Sequence, residues 1–79
     1  MNNDFFETNH KYIVLDDFKG FLTYFFHKDE VLTFNVSAYS RYDGCYVYEF
    51  FDQDGISKSA RSENKNEASF LAHFRKLDN

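Results

Sequence analysis

The sequence predicts an α+β fold in which two helices pack on one face of a three-stranded antiparallel sheet, in the order α-β-β-β-α. Three observations predict it. Apolar residues recur with a helical period of about 3.6 over residues 18–26, with the strand period of two over residues 32–51, and with the helical period again over residues 70–77. The length of 79 residues suits a single domain, residues 1–79, in which residues 1–10 are expected to be loosely held.

The first apolar run, residues 12–15 (Tyr-Ile-Val-Leu), is too short to assign by periodicity. Two interpretations stay open for it. It is either an extra N-terminal edge strand in front of the fold or the lead-in to the first helix.

The first helix is predicted over residues 16–28. Asp16 or Asp17 suits its N-cap, and their negative charges suit the positive end of the helix dipole. Gly20 inside the helix costs about 1 kcal/mol relative to alanine, which a close approach of another element would explain. The apolar stripe follows the i, i+3, i+4, i+7, i+8 spacing and consists of Phe18, Phe21, Leu22, Phe25 and Phe26.

Three strands are predicted to follow as a meander. The first carries Leu32, Phe34, Val36 and Ala38 on one apolar face, and residues 40–44 form a turn. The second runs from Cys45 to Phe51, and Glu49 indicates that its own face points outward. The turn over residues 52–55 leads to a short polar edge strand from Ile56 to Ser62.

The second helix is predicted from Asn64 to Leu77. Asn64 and Glu67 have the spacing of a capping box, and Phe70, Leu71, Phe74 and Leu77 form the apolar stripe. The residues expected to be largely buried in the core are Phe21, Phe25, Phe34, Phe70 and Phe74.

The composition is acidic and aromatic, with net charge −4, eleven Phe, six Tyr and no Trp. Rings in this number exceed what a small interior hides easily, so some are expected at the surface. One cysteine, no secretory signal at the N-terminus and no apolar stretch of membrane-spanning length favour a cytoplasmic protein without a membrane partner.

No catalytic, cofactor or metal site is predicted. Cys45 has no local signature of a nucleophile, and the three histidines lie on different predicted elements. The segment 52–55 has a faint likeness to a calcium loop, but that alignment would place Phe50 and Arg61 at ligand positions, which neither side chain can fill.

The predicted order of elements resembles that of double-stranded-RNA-binding domains and, with a leading strand, ribosome hibernation factors. In the RNA-binding family a lysine cluster at the start of the last helix clamps phosphates. Residues 65–69 read Lys-Asn-Glu-Ala-Ser here, with one lysine beside a glutamate. Since phosphate binding needs clustered cations, direct nucleic-acid binding is not expected. A degenerate RNA-binding or ribosome-associated module is the alternative function.

A second resemblance concerns small phage-encoded anti-CRISPR proteins, which act as acidic mimics of DNA. The matching residues are Tyr48 to Gly55 and Ser62-Glu63-Asn64 leading into Phe70, Leu71 and Phe74. The resemblance implies a non-enzymatic inhibitor, of the anti-CRISPR, anti-restriction or immunity type, that occupies a basic or nucleic-acid-binding surface of another protein.

The meander topology predicts where such a partner binds. The link before the first strand lies beside the turn after the second, which brings four carboxylates to one acidic tip: Asp29, Glu30, Asp52 and Asp54. Tyr39 and Glu49 are expected to extend this surface over the open sheet face. A homodimer that uses the open face is the remaining alternative.

Overall fold

The structure, a computed structural model, describes residues 5–77. This part of the chain is built mainly of strands, and helix within it is limited to a single turn. The strands are β1 (Lys11–Val14), β2 (Phe18–Lys19), β3 (Phe25–Phe26), β4 (Val31–Ser40), β5 (Cys45–Phe51), β6 (Ser57–Ser62) and β7 (Phe74–Lys76), and the helix is α1 (Ala68–Leu71).

Five strands form one antiparallel sheet in the order β6-β5-β4-β1-β7, and β2 pairs with β3 in a separate hairpin. Tyr12 of β1 pairs with Leu32 on one side and Lys76 on the other. The apolar run at residues 12–15 is therefore largely strand. It lies inside the sheet rather than at its edge, which the edge-strand interpretation did not anticipate.

The predicted meander over residues 31–62 is confirmed, because β4 pairs with β5 and β5 with β6. The prediction that Glu49 lies on the outward face of β5 is confirmed, although Cys45 on the same face is buried. Tyr48 and Phe50 are buried against the core, whereas Glu49 lies on the opposite face.

A register shift between Phe34 and Val36 changes which side chains of β4 face the core. Leu32 and Phe34 are buried as predicted, but Val36 is 51% exposed and Ala38 is exposed as well. The prediction that Leu32 to Ala38 present a single apolar face was therefore wrong. One extra residue in a strand exchanges its two faces, and alternation in the sequence does not reveal such an insertion.

The helix predicted over residues 16–28 is replaced by the β2–β3 hairpin. Phe18 pairs with Phe26, and their rings stack with centroids 4.8 Å apart. The connecting turn contains Leu22 in the left-handed region at φ 57°, and its side chain is exposed. Aromatic and β-branched residues have low helix propensity and favour strands, so the helical spacing of the phenylalanines was misleading here.

The helix predicted from Asn64 to Leu77 is also wrong. Asn66 has a left-handed φ of 54°, α1 covers only Ala68–Leu71, and Phe74–Lys76 pairs with β1. Glu67 still accepts a hydrogen bond from the Asn64 N–H at 3.2 Å, which is half of the predicted capping box. Pairing with the second edge of β1 satisfies backbone groups there, and a continuous helix could not do so.

The fold class is accordingly mostly β, and the two-helix layer of the predicted α+β fold is absent from residues 5–77. One face of the sheet is instead covered by the segment around Phe6, by the β2–β3 hairpin and by α1. Phe6 lies at the centre of this core, and its ring is within 5.0–6.0 Å of seven other rings.

The core prediction is confirmed for Phe34, Phe70 and Phe74, which are all buried. Phe21 is only half-buried, and Phe25 is 44% exposed, so the prediction was wrong for both. In the β2–β3 hairpin Phe26 points inward in place of its neighbour Phe25 because adjacent strand residues face opposite sides.

Candidate protein-binding surface

The pairing of β4 with β5 determines where the residues of the predicted acidic tip lie. Thr33 near the start of β4 pairs with Phe51 at the end of β5. The link that carries Asp29 and the turn that carries Asp54 therefore lie at the same end of the sheet. The chain does bring the two acidic segments to one side, but their four carboxylates have different surroundings.

Glu30 is held inside the fold by Lys58. Both carboxylate oxygens of Glu30 lie 2.8 Å from the Lys58 Nζ atom, and the two side chains are only 21% and 12% exposed. The ammonium also donates to the Phe25 carbonyl and lies 4.5 Å from the ring centroid of Phe26. Glu30 is thus a neutralised structural group and offers little charge to a partner.

Asp52 is used by its own turn. Its Oδ1 atom accepts hydrogen bonds from the backbone N–H groups of Asp54 and Ile56, each at 2.9 Å. This Asx-type turn, with Gly55 at φ 78°, closes the β5–β6 connection. Of the four predicted tip residues, Asp29 and Asp54 are the two whose side chains are exposed to solvent.

Glu49 and Tyr39 do not extend the tip. Glu49 lies in the middle of the outer sheet face, where its Oε1 atom accepts a hydrogen bond from Asn35 Nδ2 at 3.0 Å. Tyr39 lies near the far end of the β4–β5 hairpin. Six residues separate it from Thr33, which is about 20 Å at roughly 3.3 Å per residue. The predicted site is therefore divided between two ends of the molecule.

The far end of this hairpin carries three tyrosines, which we name the tyrosine end: Tyr39 and Tyr42 are exposed, and Tyr46 is partly buried against the core. Tyr42 is fully exposed in the turn and Tyr39 is 53% exposed. Tyr39 and Tyr46 pair across the strands, with their rings edge to face and 5.1 Å between centroids.

The turn that presents Tyr42 is stabilised by hydrogen bonds between its own polar groups. The Ser40 hydroxyl donates to Asp43 Oδ2 at 2.7 Å, and Gly44 takes the left-handed φ of 64° that closes the turn. Sequence reasoning included Tyr39 but missed Tyr42, which is fully exposed. The signal available in the sequence was the presence of three tyrosines within eight residues around a predicted turn.

An open groove of about 280 Å³ lies beside α1, and its lining includes Phe18, Arg61, Ser69 and His73. His73 Nδ1 lies 2.7 Å from Asp16 Oδ1, and the imidazole stacks on Phe18 at 4.1 Å. In catalytic sites a carboxylate such as Asp16 can orient a histidine such as His73 that acts as a general base. The Ser69 hydroxyl donates to Glu67 instead, so the groove presents no nucleophile–base pair within the described residues.

The pKa values of Glu7 and Tyr12 are shifted, and both residues lie in or near the N-terminal segment of the described chain. A hydrogen bond and the charge of the Lys76 ammonium lower the pKa of the exposed Glu7 carboxyl. Burial raises the pKa of the Tyr12 phenol. The Tyr12 hydroxyl donates to the Phe5 carbonyl at 2.9 Å and accepts from the Glu7 N–H at 2.7 Å, so its role is to anchor this segment.

Cys45 is buried in β5. Residues 5–77 contain no group of three or more His, Cys, Asp or Glu side chains arranged to hold a metal ion. No helix within residues 5–77 is long enough and apolar enough to cross a membrane.

No family model and no curated protein matches this sequence. The fold is similar to the solved structure of an integron cassette protein from the mobile metagenome of Vibrio cholerae. The TM-score is 0.71, the sequences are 18% identical, and the match covers 91% of this chain and 88% of that chain. At this level of identity the likeness concerns the fold alone.

Proposed function

We propose that this chain is a non-enzymatic protein-binding domain that occupies a basic or nucleic-acid-binding surface of its partner, with the tyrosine end as its main contact. An inhibitor of the anti-CRISPR, anti-restriction or immunity type acts in this way, and the cytoplasm is its proposed location. The observation that carries the proposal is the full exposure of Tyr42 beside the half-exposed Tyr39. Exposed tyrosines are frequent hot spots of protein interfaces.

The chemistry of the tyrosine end suits a cationic partner. The faces of tyrosine rings attract lysine and arginine side chains through cation–π contacts. The net charge of −4 favours the approach of a basic surface. Asp29 and Asp54, about 20 Å away at the other end of the hairpin, contribute to this attraction at long range without touching the same contact.

The test starts with affinity purification of the tagged chain from host lysate and mass spectrometry of the bound material. The double variant Tyr39→Ser/Tyr42→Ser should lose the specific partner, whereas Ile56→Ser should retain it. Ile56 is the matched control because it is an exposed apolar residue outside the tyrosine end. Circular dichroism and thermal unfolding establish that each variant is folded.

Kinetics with the identified partner then separate the two surfaces. We expect the tyrosine variant mainly to speed dissociation, because hot-spot contacts act on the bound state. Asp29→Asn/Asp54→Asn should slow association at low salt and flatten its salt dependence. Equal binding by the wild type and the tyrosine variant would refute the tyrosine end as the contact. Tight, salt-sensitive binding of double-stranded RNA would favour the alternative RNA-binding function.

A further inference from the structure

Strand β4 is paired along both sides for only part of its length. On one side β5 pairs with it from Thr33 to Ser40. On the other side β1 pairs with residues 31–33, and the backbone groups of Phe34 bond to Asn9 and His10. Within residues 5–77, no backbone partner lies on that side of residues 36–40, which we name the β4 edge segment.

The other strand edges of the sheet carry features that discourage pairing with another chain. The outer strand β7 is three residues long and contains Arg75 and Lys76. The outer strand β6 is partly occupied, because its Ser59 carbonyl accepts a hydrogen bond from the Phe21 N–H at 2.9 Å. Short length, charged residues and covering loops are the usual means by which proteins protect such edges.

As far as residues 5–77 show, the β4 edge segment has none of these three protections. It reads Val-Ser-Ala-Tyr-Ser, without a charged residue or a proline. Its first residue, Val36, is 51% exposed, and Ala38 is exposed as well. An uncharged strand edge whose backbone groups have no partner within the described part of the chain is a template for pairing with another strand.

We propose that a second copy of this chain pairs with the β4 edge segment, antiparallel to it, about a two-fold axis at Ala38. The segment is complementary to itself in this register. Val36 lies opposite Ser40 of the other copy, Ser37 lies opposite Tyr39, and the small Ala38 lies opposite its own equivalent. This self-complementary register is the reason to assign a second copy as the occupant, and the absence of charge in the segment means that no like charges face each other across the pair.

This inference concerns self-association and does not need a second protein; of the tyrosine end it involves only Tyr39, and its test uses Ala38, which lies outside the tyrosine end. Sedimentation velocity over a concentration series should show a monomer–dimer equilibrium. Ala38→Lys places two ammonium groups opposite each other and should raise the dimer dissociation constant roughly tenfold or more. Ile56→Lys makes the same charge change at an exposed position outside the segment and should leave the constant unchanged.

Cross-linking tests the register. In an antiparallel pair, opposite Cα atoms lie about 4.5–5.5 Å apart, within the range of a disulfide. Oxidised Ala38→Cys should therefore form a covalent dimer in high yield, and oxidised Ile56→Cys should not. Both variants also contain Cys45, which is buried and should therefore not form a disulfide between two chains.

A wild type that stays monomeric over the whole concentration series would overturn the proposal. So would a dimer that tolerates Ala38→Lys and gives no cross-link at position 38, since it would use another face. Concentration-independent protection from hydrogen exchange of those amides in residues 36–40 that point away from β5 would also overturn it, because that side of the segment would then be covered by its own chain.

Discussion

The Lys58 ammonium lies 2.8 Å from both carboxylate oxygens of Glu30, although 28 residues separate the two along the chain. Glu30 precedes β4 and Lys58 belongs to β6, so the pair joins the two outer edges of the β4–β5–β6 meander at one end. The Lys58 Nζ atom also bonds to the Phe25 carbonyl. The pair therefore ties the β2–β3 hairpin to the sheet as well.

Glu30→Gln should lower the free energy of unfolding by about 1–3 kcal/mol, because it leaves a largely buried ammonium without its anionic partner. Urea unfolding at neutral pH measures the change. Asp54→Asn is the control, since it removes an exposed acid from the same end and should change stability by less than about 0.5 kcal/mol. Equal losses in the two variants would contradict a structural role for Glu30.

Gly20→Ala should destabilise the fold by about 1–3 kcal/mol. A Cβ atom at Gly20 would lie against the ring of Phe26 and 2.7 Å from the backbone carbonyl of Ser59, and the backbone cannot yield easily. In the helix predicted from the sequence, the same change would stabilise by about 1 kcal/mol. The sign of the change in the urea midpoint therefore distinguishes the hairpin from the helix.

Phe6→Ala should cost about 3–5 kcal/mol, because Phe6 is buried at the centre of the aromatic core. Phe25→Ala removes the same side chain at a position that is 44% exposed and should cost much less. Since a domain of this size has little stability in reserve, Phe6→Leu provides a milder variant that should stay folded. Thermal unfolding midpoints that fall equally for Phe6 and Phe25 would contradict this core.

The ion pair between Glu7 and Lys76 should contribute to the way the free energy of unfolding changes with pH in the acidic range. The lowered pKa of Glu7 means that the folded state binds this proton less tightly than the unfolded state does. Its stabilisation is therefore present above the ordinary value of 4.5 and is lost as the pH falls through the lower pKa of the folded state.

Carboxyl chemical shifts followed by NMR should place the pKa of Glu7 below 4.5 in the wild type and return it toward that value in Lys76→Gln. The Lys11→Gln variant serves as the control, because it removes one positive charge four residues along the chain from Glu7, and the charges that lower the pKa of Glu7 are those of Lys76 and His10. A pKa of Glu7 that is the same in all three proteins would contradict the ion pair.

The alternation of apolar residues and the turn residues between them were enough to predict the β4–β5–β6 meander from the sequence. The bounds of β5, Cys45–Phe51, agree with the prediction, and Glu49 correctly marked the outward face. Alternation and turn residues act between neighbours in the chain, so a hairpin with short connections can be read from them. The same topology correctly placed Asp29 and Asp54 at one end of the sheet.

Only the tertiary structure decided the rest. The pairing of β7 with β1 joins residues 60 to 64 positions apart, and the periodic phenylalanines around it fitted a helix equally well. The extra residue between Phe34 and Val36 and the pairing of Glu30 with Lys58 left no mark in the pattern. The physical reason is that backbone pairing and ion pairing between distant segments are set by which edges and charges the packed core brings together, and local periodicity carries no information about that.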